Sequence, residues 1–170
     1  MRRWPARSIF DTCPLTALIR VNATSLGRMR ITSWNLLHGQ PIPPLSTGPS
    51  QESLAAAVRQ LETEVIAVQE VDYKLPRSNT RNQISDIADA IRAKDWAYAP
   101  SIIGTPGEKW RKLKDSDPRI VSGENSSLEG SYGLAIASTI PVVKWHRLDL
   151  GNSVVGMPLV VPTESETSSK

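Results

Sequence analysis

Three observations predict an α/β fold. A β-rich run at residues 29–34 leads through a loop into a segment of helical spacing, an unbroken apolar run follows at 65–68, and helical spacing returns at 82–94. A chain of 170 residues suits one domain built around a single core.

Residues 1–28, MRRWPARSIFDTCPLTALIRVNATSLGR, come first. Asp11, Pro14 and Arg20 interrupt any apolar core that a signal peptide would need, so this leader is expected to be an upstream extension or a disordered tail, with a targeting segment as the alternative. The domain is expected to occupy 29–170. After the run at 29–34, GQPIPPLSTGPS is a loop, because its prolines and glycines suit neither helix nor central strand. Ser50 or Ser53 can then cap a helix that carries Leu54, Ala57, Val58 and Leu61 on one face, with Glu52 in the first turn where the helix dipole favours a negative charge. The continuous run at 65–68 suits a strand covered on both faces.

The second helix places Ile84, Ile87, Ala88 and Ile91 inward and Asp86 and Asp89 on the wet side. Residues 97–103 read as a strand, and 104–130 as a long polar insertion of the kind that is usually functional or mobile. Two further strands, 132–137 and 141–148, are expected to form a hairpin about a tight turn at 138–140, near the far side of the sheet. The tail PTESETSSK is polar, and no internal repeat is present.

Composition narrows the function classes. A single cysteine, Cys13, can form no internal disulfide, so a reducing compartment, the cytoplasm, is the default. No run approaches the roughly 18 apolar residues of a membrane span. The net charge of +3 is uneven: five arginines and one acid give the leader +4, which leaves −1 for residues 29–170. Such a body offers little to an extended nucleic-acid groove. The cluster Lys109, Trp110, Arg111, Lys112, Lys114 is nearly neutralised by Glu108, Asp115 and Asp117, and reads as a solvated loop rather than a nucleic-acid contact.

Ligands in α/β sheets bind beyond the carboxyl ends of strands, which is where Asn35 and Glu70 fall. An asparagine at a strand-to-loop turn commonly caps its own backbone, and a strand-end glutamate can bond to a turn. The functional alternative is an amide and a carboxylate at one rim. Magnesium would suit such a carboxylate, since it often takes one or two protein carboxylates and fills its shell with water and substrate phosphate.

The pairing of ITSWNLLHG with EVIAVQEVD, followed by SYGLAIASTIPVV, resembles the endonuclease/exonuclease/phosphatase family, the deoxyribonuclease I-like superfamily. The resemblance covers roughly residues 29–161. It implies an α/β fold that is the N-terminal half of a four-layer sandwich, a mixed sheet with flanking helices. It also implies that Asn35 contacts the scissile phosphate or the metal's surroundings, that Glu70 binds a divalent metal (Mg2+ or Mn2+), and that Tyr132, Gly133, Ser138 and Pro141 are mainly architectural. Trp34 would anchor in the core while Asn35 turns to the opposite face. His38, close by, could touch substrate or could be an exposed loop histidine; His146 reads as a partly exposed strand residue.

The family's Thr-His-Leu strand, Gly-Asp-Phe-Asn segment and final Asp-His pair do not occur in these 170 residues. Ser116-Asp117-Pro118 lacks the histidine, and Asp149-Leu150-Gly151-Asn152 has the wrong spacing. The expectation is thus a truncated metal-dependent phosphoesterase with little activity alone, its substrate unresolved among nucleic acid, nucleotide and lipid phosphate. A non-catalytic fragment or phosphate-binding module acting through a partner is the alternative. A small nucleotide-binding domain is disfavoured, because no Gly-rich phosphate loop follows either strand. Half a sandwich would also leave a sheet face open to self-association.

Overall fold

The computed structural model describes residues 15–19, 28–41, 50–123 and 127–149. Five strands form a mixed sheet: β2 Met29–Asn35, β3 Val65–Tyr73, β4 Asp95–Gly104, β5 Trp110–Lys112 and β6 Ser131–Ser138. A sixth, β1 Leu15–Ile19, lies within the segment expected to be an extension and pairs antiparallel along β2. The order is β1-β2-β3-β6-β4-β5, with β2 and β3 parallel. Two helices, α1 Gln51–Gln60 and α2 Gln83–Ile91, connect these strands. This is an α/β architecture; Cys13, the loop at 42–49 and the tail at 162–170 lie outside the described residues.

The helices pack on one sheet face. Leu54 and Val58 of α1 and Ile84 and Ile87 of α2 join Trp34, Ile66, Val68, Tyr98, Ala135 and Ala137 in one buried cluster. Ser50 caps α1 by accepting the Ser53 N–H at 3.4 Å, which settles the choice between the two serines. The other face of the sheet carries no helix among the described residues. There β6 alternates Leu134 and Ile136 outward, 51% and 39% exposed, against buried Ala135 and Ala137. Among the described residues the two faces of β3 are therefore covered unequally: Ile66 and Val68 are buried, and their neighbours Val65 and Ala67 are half-buried.

Three other expectations change. Residues 141–148 are not a strand, because β6 already has β3 on one edge and β4 on the other and offers no edge to a hairpin partner. This segment is tied down instead by the Val142 N–H on Asp95 at 2.8 Å and by Arg147 on the Pro100 carbonyl at 2.7 Å, which leaves His146 exposed and outside any strand. The insertion at 104–130 is not structureless: it contains β5, paired with β4, and a bridge from Val121 to Tyr98. Within it Arg111 is held by Asp117 and Glu129 rather than left to face a ligand.

Asp86 is buried, not on the wet side. Arg81 grips it through Nε and Nη2 and Gln51 adds a donor at 3.2 Å, so the charge is paired where α1 meets α2. Asp89 does face solvent.

Central β6 approaches β4 so closely that a Cβ on Gly133 would lie 2.2 Å from the Ala99 carbonyl oxygen. Backbone cannot yield as a side chain can. Gly133→Ala is expected to lower the unfolding free energy by about 3 kcal/mol in urea denaturation, since overpacking a tight contact costs that order; an unchanged midpoint would refute so close an approach.

Candidate functional site at the carboxyl ends of β2 and β3

The sequence VIAVQEVDY contains two buried pairs, Ile66 with Val68 and Val71 with Tyr73, that are out of phase by one residue. A regular strand alternates with period two and cannot bury both pairs. The conflict is resolved by a β-bulge between Val68 and Val71. Glu70 sits there with φ of 58°, a left-handed conformation that costs a non-glycine residue roughly 1 kcal/mol or more. The extra residue returns Val71 to the core and turns Glu70 out to the rim.

Asn35 reaches the same rim from the adjacent parallel strand. Its Nδ2 donates to Glu70 Oε1 at 2.8 Å, and its Oδ1 accepts the Leu37 N–H at 3.0 Å. The asparagine thus caps its own turn through one end of its amide and meets the carboxylate through the other. Trp34, one residue earlier, is buried in the core. The turn after Asn35 is strained, with Leu37, His38 and Gly39 in succession at φ of 47°, 44° and 79°.

Sequence reasoning missed four neighbours. Tyr132, read as architectural, lies near Glu70: burial first, then the Glu70 charge and a hydrogen-bonding interaction with it, push its phenol above the ordinary range. Arg77 lies over the Tyr132 ring at 5.4 Å and clamps fully buried Asp72 through Nε at 2.9 Å and Nη2 at 2.7 Å. Gln83 accepts the Asp72 N–H at 2.8 Å and donates to the His38 carbonyl at 2.7 Å. One signal was available: Asp72, set between the apolar Val71 and Tyr73, requires a cation or hydrogen-bond donors nearby.

His38 is half-buried beside this group rather than exposed. Burial first and the Arg77 guanidinium second draw its pKa below the usual value, against smaller upward pulls from Asp72 and Glu70. His146 is not brought to the site. Asp72 has both oxygens engaged by Arg77, so Glu70 is the rim carboxylate with capacity to spare. Among the described residues no group of three or more His, Cys, Asp or Glu is placed to hold a metal ion. No helix among them is long and apolar enough to cross a membrane.

No family model, no curated protein and no solved structure matches this chain.

The direction at His38 fixes a pH dependence. A folded-state pKa below the unfolded value of about 6.5 means that its contribution to stability is complete above that value and is lost as pH falls from there through the folded value. The NMR titration of the His38 ring is expected to have its midpoint below 6.5; a midpoint at or above that would contradict the described burial.

Proposed function

We propose that the rim built by Asn35 and Glu70 is the metal- and phosphate-facing part of a divalent-metal-dependent phosphoesterase site of the endonuclease/exonuclease/phosphatase kind. The observation that carries this reading is the convergence of two residues 35 positions apart, at 2.8 Å, beyond the carboxyl ends of adjacent parallel strands. The strain stored at Glu70 adds support, because a backbone held in a costly conformation to present one carboxylate is a feature that clusters at functional sites.

The donor set fits one class of cation. A single available carboxylate matches Mg2+ or Mn2+, which keep most of their octahedral shell for water and substrate phosphate, and does not match a cation that needs three or four protein ligands. Glu70 would hold the ion, which when bound would neutralise a phosphoryl oxygen. Asn35 would face the phosphate beside it. The Tyr132 hydroxyl would orient the Glu70 carboxylate, and Arg77 neutralises Asp72 beside the rim.

Activation of water needs a further base. Asp72 is committed to Arg77, and the family's Asp-His and Gly-Asp-Phe-Asn segments are not in the 170 residues. Hydrolysis by these residues alone is therefore expected to stay near the uncatalysed rate. The same observation favours a second reading, a phosphate-binding module that acts through a partner supplying the base.

Two assays test this. Titration of Mn2+ followed by electron paramagnetic resonance is expected to show one site that weakens at least tenfold in Glu70→Gln, as loss of the one carboxylate ligand implies; binding that ignores the substitution would overturn the assignment. Turnover of bis-p-nitrophenyl phosphate and p-nitrophenyl phosphate is expected at blank level. Magnesium-dependent cleavage abolished by Glu70→Ala would show that the chain carries a base of its own.

A further inference from the structure

We propose that Gln83 is the positioning residue that sets the spacing of Asn35 and Glu70. It is 3% exposed and opens α2. Its two bonds run to the two segments that carry the pair. Oε1 accepts from Asp72 N–H at 2.8 Å, two residues beyond Glu70, and Nε2 donates to the His38 carbonyl at 2.7 Å, three residues beyond Asn35.

Each segment is strained at or within two residues of the atom the glutamine holds. The bulge holds Glu70 at φ of 58°, and the turn holds Leu37 and His38 at 47° and 44°. Conformations of this kind persist when their surroundings over-determine them. The chain before the turn is fixed by the Leu36 N–H on the Gln69 carbonyl at 2.8 Å, and Gln83 fixes the chain after it. An amide is the side chain this place requires. A carboxylate could accept from the Asp72 N–H but has no proton for the His38 carbonyl, and a thioether is only a weak acceptor and no donor.

A glutamine that merely filled space would, when replaced, change stability and leave the rim as it was. The Asn35 side-chain amide distinguishes the two roles, because its proton and nitrogen shifts report the bond to Glu70. In a 15N-labelled full chain this signal is assigned by its loss in Asn35→Ser, and Glu70→Ala gives its position when the bond is absent. Gln83→Met and Gln83→Glu are expected to move the signal most of the way to the Glu70→Ala position while far-ultraviolet circular dichroism stays that of the parent. Where Gln83→Met does not fold, Gln83→Glu decides, since it keeps the size and the acceptor half of the clamp. A folded variant with the Asn35 signal unmoved overturns the proposal.

A second readout rests on the phosphoesterase reading. Mn2+ affinity is expected to fall about tenfold in Gln83→Glu with unchanged stoichiometry, the order seen when an outer-shell partner is lost. Should the parent show no Glu70-dependent Mn2+ site, that reading fails, and the amide signal still decides the role of Gln83.

Discussion

Asp72 is fully buried on the central strand β3, and much of the structure serves to make its charge affordable. Removing one partner of a buried pair costs about 3–5 kcal/mol, because the other charge is left uncompensated. Arg77 meets this demand with a two-pronged grip, and to do so the chain must fold back immediately after β3 through the 3-10 turn Pro76–Ser78. That return carries Arg77 over Tyr132 and leads directly into α2 and Gln83. One ion pair thus links the strand, the turn and the helix that together form the rim.

The bulge in β3 is the second constraint. It meets a packing demand: Val68 and Val71 both belong to the core, and their odd spacing puts one residue out of register. Glu70 is the residue displaced. A carboxylate left in phase would have pointed at the helices, where its desolvation would be costly. The displacement instead sets it beside the Asn35 amide and the Tyr132 hydroxyl, so the packing demand and the chemical arrangement have one cause.

Much of this was legible in the sequence. The alternation of strands and helices, the Ser50 cap, the burial of Trp34 and the rim position of Asn35 and Glu70 all follow from local periodicity and turn chemistry. What was hidden depends on contacts between distant residues. That β6 lies between β3 and β4, and so forbids a hairpin with 141–148, is a fact of topology with no local signature. Asp86 reads as solvent-facing on a helical wheel, yet Arg81 and Gln51 draw it inward. Tyr132 lies in a motif that reads as architectural and Gln83 lies in none; they matter because the fold brings them to Glu70 and to the His38 turn.

The claim at the centre of this account is that Glu70 is displaced from the core in a form able to hold a divalent cation. Crystals of the chain grown with manganese, with data collected above the manganese absorption edge, test it directly. The account predicts an anomalous peak about 2.1–2.2 Å from a Glu70 carboxylate oxygen, slightly longer than the 2.0–2.1 Å of magnesium, with water completing the shell and Asn35 alongside. Manganese bound elsewhere, with Glu70 still closed upon Asn35 and Tyr132, would contradict it.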